Sequence, residues 1–344
     1  MRDEYYTFAQ HRVRLPHDFR PVLFVVIDTE EEFDWRGNVD RNNTSVAAMA
    51  KVGVAQQIFD EYKIRPIYVI DYPVASQPQG FSPLVDIAKS GGCQIGTHLH
   101  PWVNPPHEEE VNRVNSYIGN LPKPLVAEKM KTLHATIQAN LGVTPVIFKA
   151  GRYGLGRHVL ELLVEQGYEV DCSTTPGFDY RGDGGPNFAQ SCFDCFWCGP
   201  NNSILGIPTT GALVGFWQWQ ANEAYRFCTT GWRPAMHLPG ILARLNAIDR
   251  LRLSPEGFTW QEHRKLTRFL LARGVRTFTF SFHSPSLQPG NTCYVENAAD
   301  LVTFLDSFRR YFDYFFGELN GRTMTALELK NLLRSQHKEL GNSQ

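Results

Sequence analysis

Short apolar runs alternate with segments of helical periodicity along the first half of the chain, and this alternation restricts the fold more than any other feature. The runs are rich in β-branched residues and cover residues 21–28, 66–70, 93–97, 145–149 and 168–172. Helical patterns fill the intervals at residues 45–62, 83–89, 124–141 and 157–166. Continuous apolar runs of this length are typical of strands buried on both faces. Strands that alternate with helices at this interval predict βαβ units and a parallel sheet, which places the chain in the α/β class.

The alternation stops at about residue 174 and resumes near residue 259. The interval holds three closely spaced cysteines, a glycine-rich turn and four tryptophans. We interpret residues 174–258 as an irregular insertion that covers one end of the sheet. Beyond it, residues 259–272 and 298–319 have helical patterns, and residues 276–282 form a further apolar strand. We therefore predict a single domain that spans residues 1–344.

Composition argues against two classes of partner. The net charge is −1, from 34 basic and 35 acidic side chains, so the chain has no excess positive charge for binding nucleic acid. Its longest strongly apolar run, residues 22–27, is far shorter than the roughly 18 residues of a membrane-spanning helix. The first residues carry charges of both signs instead of the apolar core of a secretion signal, so we expect a cytoplasmic protein with reduced thiols. Cys192, Cys195 and Cys198 are then inert thiols, and the oligomeric state stays open.

Polar residues cluster at the carboxyl ends of the predicted strands, where ligands bind in parallel sheets. His98 and His100 are separated by one residue in an extended segment, so both imidazoles leave the same face with Cα atoms about 6.5 Å apart. Asp28 and Glu30 have the same spacing at the end of the first strand. Two histidines and a carboxylate are the ligands of a catalytic zinc site, and a second carboxylate can accept a proton from water. The sequence therefore predicts a divalent metal site, with Zn²⁺ as the favoured ion, whereas Glu31 is interpreted as a solvated charge.

The strand-end residues resemble, in kind and order, the motifs of the polysaccharide deacetylase superfamily, also called the NodB-homology or carbohydrate esterase family four superfamily. The segments DTEEEFDW at residues 28–35 and IGTHLHPW at residues 95–102 are similar to its WalW-type branch. The resemblance extends over about residues 20–335, with its specific motifs at five strand ends. It implies a distorted (β/α) barrel of about seven strands, here with an inserted cap region. It also implies hydrolysis of N-acetyl or O-acetyl groups on sugars.

The resemblance implies roles for the first two motifs. The first acidic residue of the family pattern is the general base, which Asp28 matches. The next acidic residue of the pattern binds the metal together with two histidines. Thr29 stands where the family has an adjacent aspartate, so we assign Glu30 as the ligand that joins His98 and His100. The reverse assignment, in which Asp28 binds the ion and Glu30 takes the proton, stays open.

The remaining motifs supply a cation, an oxyanion site and an acid. A cation orients the catalytic aspartate, and either Lys149 or Arg152 fits this position, with Arg152 preferred because it lies among turn residues. The backbone N–H of Tyr153 would bind the developing oxyanion. His283 matches the general acid that protonates the leaving amine. Asp171 is the carboxylate that we expect to hold His283 in the imidazolium form.

Three classes of function follow from these residues. The leading one is a metal-dependent deacetylase that acts on an acetylated sugar, in an intracellular glycan or glycan precursor. The second is a metal-independent hydrolase of C–N bonds in small amides such as cyclic ureides, similar to allantoinases, whose members lose the metal ligands. The third is a catalytically silent protein that binds carbohydrate. The metal content of the purified protein separates the first class from the other two.

Overall fold

The computed structural model describes residues 11–13, 15–35, 37–215 and 249–341. Its twelve described strands form a ten-stranded sheet and a separate two-stranded ribbon, β9 with β10. The strands are β1 (His11–Arg12), β2 (Val22–Thr29), β3 (Ile67–Ile70), β4 (Gln94–Leu99), β5 (Ile147–Ala150), β6 (Val170–Asp171), β7 (Phe196–Cys198), β8 (Ile204–Gly206), β9 (Gly211–Val214), β10 (Asp249–Arg252), β11 (Thr277–His283) and β12 (Arg322–Thr323).

Parallel pairing dominates the large sheet. Its strands follow the order β1-β7-β8-β6-β5-β4-β3-β2-β11, with β12 paired beside β2. Seven strands in succession, from β11 through β2 to β6 and β8, pair in parallel. The predicted α/β class and the four strands expected at residues 22–28, 66–70, 145–149 and 276–282 are confirmed, and all four lie in one sheet.

The ring of strands is not closed by backbone pairing in the described part of the chain. Instead, the side chain of Thr279 in β11 donates to the carbonyl of Pro208 at 2.8 Å, just beyond β8. The backbone N–H of Thr279 donates to the Thr210 hydroxyl at 2.8 Å. These bonds connect β11 to the segment after β8, so the expected barrel is joined here by hydrogen bonds outside the strand ladders.

Helices connect the strands and pack against the sheet. The described α-helices are Val52–Glu61, Tyr72–Ser76, Pro78–Lys89, Lys123–Leu141, Arg157–Glu165, Trp260–Leu271, Ala298–Phe312 and Ala326–Gly341. One begins earlier than the sequence predicts: Pro83 lies inside a helix that starts at Pro78, which also fits the first helical position. Thr259 caps the helix after it with a reciprocal bond to Glu262, as a helix start at this point requires.

Part of the region predicted to be irregular is regular. Strands β7 and β8 lie within residues 174–258 and belong to the main sheet, where β8 pairs in parallel with β6. Each of these two strands is only three residues long, which is too short to give an alternating pattern in the sequence. Two of the four tryptophans noted in this region, Trp217 and Trp219, fall outside the described residues. The organisation of residues 1–344 as a single domain stays a prediction.

The sheet separates two apolar layers. On β2, Leu23, Val25 and Ile27 pack towards the surrounding helices. Val22, Phe24 and Val26 face the opposite side, which we call the inner face. The inner face is filled by side chains of β3, β5, β6 and β8 and by the last helix, through Ala326, Leu329 and Leu333. Alternation along a strand then places Asp28, two residues after Val26, on the inner face at its open end.

A buried aspartate ties the segment before β7 to the start of β11. Asp194, 1 % exposed, accepts from the backbone N–H of Arg276 at 2.9 Å, Thr277 at 3.1 Å and Cys195 at 3.0 Å. It also accepts from the Thr277 hydroxyl. The flanking Cys195 and Cys198 are free thiols, and burial raises the pKa of both well above its usual value, so they stay protonated.

We predict that Asp194→Ala lowers the free energy of unfolding by about 3 kcal/mol or more, because it leaves buried N–H groups without an acceptor. Urea unfolding followed by circular dichroism measures the change. Asp86→Ala, which removes an exposed carboxylate from a helix, is the matched control and should unfold at the wild-type midpoint. Coincident midpoints for the Asp194 variant and the wild type would contradict the role assigned here.

Candidate metal centre and active site

Strand register assembles the candidate site. In the parallel ladder His283 of β11 lies opposite Asp28 of β2, and His98 of β4 lies opposite Lys149 of β5. The carboxyl ends of these strands therefore meet at one edge of the sheet, as the sequence predicts. The edge opens into a cavity of about 940 Å³ that both histidines and Asp28 line.

Glu30, His98 and His100 converge on one point. The Nε2 atoms of His98 and His100 lie 3.2 and 3.5 Å from Oε2 of Glu30. All three side chains are about 2 % exposed. Donor atoms about 2.1 Å from a tetrahedral ion stand about 3.4 Å from one another, which matches these separations. The three residues form a group that could hold a metal ion.

Hydrogen bonds fix which ring nitrogens face this point. Nδ1 of His98 lies 3.1 Å from the carbonyl oxygen of Lys149, and Nδ1 of His100 lies 2.8 Å from a carboxylate oxygen of Glu31. Both partners are acceptors, so each Nδ1 carries the proton and donates. Burial lowers the pKa of His98 well below its usual value and that of His100 to about 4, so both rings are neutral. Each Nε2 therefore presents a lone pair.

The Nε2 atoms of His98 and His100 and Oε2 of Glu30 are three acceptors that face one another, and a cation between them would stabilise this arrangement. Burial raises the pKa of Glu30 well above its usual value, and the carboxylates of Glu31 and Asp28 add to the effect. The second oxygen of Glu30, Oε1, is buried and has no hydrogen-bond partner among the described residues. A divalent ion would satisfy that oxygen, favour the ionised carboxylate and use the free lone pairs of both histidines. The residues present therefore fit the ion that the sequence predicts.

Two buried carboxylates lie behind His100: Glu31 contacts its ring, and Asp71 contacts Glu31. Glu31, predicted from the sequence to be a solvated charge, is fully buried and accepts from the Trp102 ring N–H at 2.7 Å as well as from His100. That expectation was wrong. Asp71, also fully buried, accepts from the backbone N–H of Glu31 at 2.6 Å. Sequence reasoning missed Asp71, although it directly follows β3 and belongs with the other strand-end residues.

Asp28 lies beside the three converging residues and pairs with a different cation from the one expected. The Lys149 ammonium donates to both of its carboxylate oxygens, at 2.5 and 2.7 Å. Burial alone would raise the pKa of Asp28, but Lys149 and the neighbouring imidazoles outweigh it and hold the pKa at about 2. The preference for Arg152 as the orienting cation is therefore corrected to Lys149.

Arg152 points to another part of the cavity. Its guanidinium donates to the Ser116 and Tyr117 hydroxyls and pairs with Asp183. Arg152 and Tyr153 both have left-handed backbones, with φ of 53° and 58°, directly after β5. Residues other than glycine rarely adopt this conformation, and it tends to occur at functional sites. The oxyanion role predicted for the backbone N–H of Tyr153 stays a prediction, and Tyr153 lines the cavity.

His283 faces Asp28 on one side and a glutamate on the other. Its Nε2 lies 3.5 Å from Asp28, and its Nδ1 donates to Glu256 at 2.7 Å. Burial alone would lower the pKa of His283, but Glu256 outweighs it, so the pKa is raised. Glu256 itself also accepts from the Ser286 hydroxyl at 2.6 Å. Glu256 lies in the segment after β10, which shows no strand pattern in the sequence, and sequence reasoning missed it.

Asp171 does not contact His283. It is fully buried at the end of β6, where it accepts from the backbone N–H of Ser173 at 3.2 Å and from the hydroxyl of the same residue. Burial raises its pKa to about 7. The expected pairing of Asp171 with His283 is therefore corrected, because Glu256 occupies the position beside the imidazole.

Aromatic side chains make up much of the cavity wall. They are Phe33, Trp35, Trp102, Tyr117, Tyr153, Phe178, Tyr180, Phe258, Phe282 and Tyr294. The Trp35 ring packs edge-on against His283, with centroids 4.6 Å apart, and its buried ring N–H has no hydrogen-bond partner in the described part of the chain. The cavity volume lies at the upper end of the roughly 300–1,000 Å³ of small-molecule sites. Apolar rings of this kind can stack on the faces of a sugar.

Comparison with solved structures identifies the fold. A protein from Mycobacterium smegmatis, provisionally assigned as a polysaccharide deacetylase, superimposes with a TM-score of 0.54 over 95 % of both chains at 13 % identity. The chain has the polysaccharide-deacetylase fold. A 4-alpha-glucanotransferase from Thermococcus litoralis reaches a TM-score of 0.49 at 14 % identity, over 90 % of this chain and 40 % of its own. The peptidoglycan deacetylase PdaC from Bacillus subtilis reaches 0.41 at 11 % identity, over 96 % and 99 %. At the level of sequence, no protein-family model and no curated protein matches the chain.

A glycine at the end of β5 keeps space for His100 in this deacetylase fold. A Cβ on Gly151 would collide with the His100 ring and come within 2.7 Å of the Leu99 carbonyl. We therefore predict that Gly151→Ala displaces the ring and weakens divalent metal binding by about 10- to 100-fold, without unfolding the protein. His98→Ala should remove binding altogether. Metal bound per chain after dialysis, together with a circular dichroism spectrum, measures both.

Gly182→Ala is the matched control, because a Cβ at that position meets no atom within 4 Å. It should bind metal as the wild type does. Retention of stoichiometric metal by the His98 variant would show that the ligand assignment is wrong.

Proposed function

We propose that the protein is a metal-dependent carbohydrate deacetylase that hydrolyses an N-acetyl group, or an O-acetyl group, of a sugar. The observation that carries this proposal is the convergence of Glu30, His98 and His100 beside the Asp28–His283 pair at the floor of an aromatic cavity. The polysaccharide-deacetylase fold supports it. An intracellular glycan or glycan precursor as the substrate, and a cytoplasmic location, belong to the same proposal. No helix among the described residues is long and apolar enough to cross a membrane.

Glu30, His98 and His100 would hold the ion, with Zn²⁺ as the favoured metal. A divalent ion bound there supplies Lewis acidity, which polarises a carbonyl group and makes water a stronger acid. Glu31 keeps His100 in the tautomer that presents Nε2, and the Lys149 carbonyl does the same for His98. Assigning Glu30 rather than Asp28 as the ligand follows from its distances to the two histidines.

Asp28 and His283 have the protonation states that acid–base catalysis of amide hydrolysis needs. With a pKa of about 2, Asp28 is ionised at neutral pH and can accept a proton from the attacking water. The Lys149 ammonium fixes the orientation of this carboxylate. Glu256 holds the proton on His283, which can then protonate the departing nitrogen. The backbone N–H of Tyr153 is the candidate donor to the developing oxyanion.

Neither alternative function, the metal-independent hydrolase or the silent binding protein, explains the arrangement of these residues. A metal-independent hydrolase of small amides has no need for three converging ligand atoms with an unsatisfied glutamate oxygen. A silent binding protein has no need for an ion-paired aspartate next to a histidine that a glutamate keeps protonated. Both alternatives remain outcomes of the experiment that follows.

The test compares acetate release from N-acetylglucosamine oligomers with hydrolysis of 4-nitrophenyl acetate. An amine must be protonated to leave, whereas nitrophenolate leaves unaided. We therefore expect His283→Ala to slow the amide reaction by about 10²- to 10⁴-fold and the ester reaction much less. Asp28→Asn should slow both. Chelation should abolish both activities, and added metal should restore them.

Equal losses on amide and ester for His283→Ala would show that its role is structural. Turnover that survives complete chelation would favour the metal-independent hydrolase. A protein that binds metal and sugar but releases no acetate from either substrate would favour the silent binder.

The pH dependence of the amide reaction tests the part played by Glu256. Because His283 acts as an acid with a raised pKa, activity should persist above the usual histidine pKa of about 6.5 and fall as pH rises through the raised value. Glu256→Gln removes the negative charge, so the alkaline fall should move to lower pH. The pH profile of kcat/KM and an NMR titration of His283 measure this. Glu296→Gln, an exposed carboxylate, is the control, and an unchanged NMR midpoint in the Glu256 variant would contradict the assignment.

A further inference from the structure

Arg252, at the end of β10, lines the cavity and has no acidic partner in the described part of the chain. Its guanidinium donates to the Tyr153 hydroxyl at 3.2 Å and to the Tyr180 hydroxyl, and it stacks over the Phe178 ring at 4.1 Å from the centroid. Across the described residues, these two phenols are its hydrogen-bond partners. A guanidinium has five N–H groups, so donors remain for a further partner.

The surrounding rings hold this guanidinium in place. The Tyr153 and Tyr180 rings stack with centroids 5.6 Å apart, and the Phe178 ring continues the stack at 6.3 Å from Tyr180. Arg252 lies against this stack from one side. An arginine fixed by aromatic contacts loses little freedom when a ligand binds, so its remaining donors are pre-organised.

Charge balance separates Arg252 from other arginines of the cavity. Arg113 and Arg152 share an acidic partner, Asp183, which neutralises one of their two positive charges. The partners of Arg252 are phenols, and burial raises the pKa of Tyr180 to about 12, so that phenol is neutral at physiological pH. A partly buried cation that faces neutral groups is costly unless an anion arrives to pair with it.

The Arg252 guanidinium lies near the proposed catalytic groups. The Arg252 guanidinium lies 5.2 Å from the centroid of the Tyr153 ring, and the Lys149 ammonium lies 5.3 Å from the same centroid. Lys149 in turn bonds to Asp28. The Tyr153 ring therefore lies between Arg252 and the lysine that pairs with the proposed base, and Asp28 and Arg252 line the same cavity.

We propose that Arg252 binds an anionic group, a carboxylate or a phosphate, on the sugar that occupies this cavity. The planar fork of a guanidinium matches both groups and can form two parallel hydrogen bonds to either. The proposal rests on the proposed function in that it specifies the substrate as an acidic acetylated sugar, in which the anion and the acetyl group lie on the same or neighbouring rings.

Ligands without an acetyl group test the anion site separately from catalysis. Calorimetry on the metal-loaded protein compares glucose 6-phosphate, glucuronate and glucose, none of which can be deacetylated. We expect the wild type to bind at least one of the two anionic sugars at least 10-fold more tightly than glucose, and the ligand that does so identifies the anion as phosphate or carboxylate. Arg252→Gln should reduce that preference by about 10- to 100-fold. Arg252→Lys should restore part of it, because a lysine supplies charge without the planar fork.

Arg310→Gln is the control for loss of one positive charge, since Arg310 is exposed and pairs with Asp306 away from the cavity. It should keep the wild-type preference. A second measurement compares kcat/KM for N-acetylglucosamine 6-phosphate and N-acetylglucosamine in the wild type and the Arg252→Gln variant.

The outcomes separate the two proposals. Equal binding of all three sugars by the wild type, or an unchanged preference in Arg252→Gln, overturns the anion site. A preserved anion preference in a protein that releases no acetate overturns the proposed deacetylase activity and leaves the anion site standing.

Discussion

The candidate site depends on how the protein compensates several carboxylates that it buries side by side. Asp28, Glu30, Glu31, Asp71 and Glu256 are at most 7 % exposed and lie at one edge of the sheet. Removing a carboxylate from water costs several kcal/mol unless cations or N–H groups replace the water. Four of the five find a lysine, a histidine, an indole or backbone N–H groups. Glu30 alone of these five combines a strongly raised pKa with an oxygen that has no hydrogen-bond partner in the described part of the chain, so a metal ion bound there would complete the charge balance.

The alternation of side chains along parallel strands brings these groups together. Val26 and Ile147 lie on the inner face of the sheet, and Asp28 and Lys149 follow each of them by two residues. The same period on β4 carries Gly96, against which Ile147 packs too closely for any Cβ, and then His98. The apolar layer that stabilises the sheet and the polar layer that forms the site are therefore consecutive rows of one face. A shift of register by one residue would move both at once.

How far the sequence could predict this site depended on where each residue lies relative to a strand. Asp28 and His98 lie at the carboxyl ends of β2 and β4, and Glu30 and His100 follow them by two residues, so the spacing predicts that each pair shares a face. The choice between Lys149 and Arg152 could not be made in this way, because it depends on two left-handed residues after β5 that carry Arg152 towards Asp183.

The acidic partners show a second limit. Glu256 reaches His283 from a stretch between β10 and a helix, 27 residues away along the chain, and no periodicity of the sequence predicts such a contact. Asp171 was a reasonable candidate by the strand-end rule, yet its carboxylate bonds to Ser173. Local patterns thus predict which face a residue occupies, whereas the pairing of charges across a cavity depends on loops that only the folded structure shows.

The two carboxylates at the end of β2 illustrate how one strand can carry opposite chemical roles. Asp28 and Glu30 lie two residues apart and are equally shielded from water, so burial raises the pKa of each. Lys149 and the imidazoles reverse the effect at Asp28, whereas neighbouring acids reinforce it at Glu30. Environments that push two titratable groups apart in this way assign an ionised acceptor and a group that needs a cation. That division of roles arises from the position of Lys149 on β5, from which its ammonium pairs with Asp28.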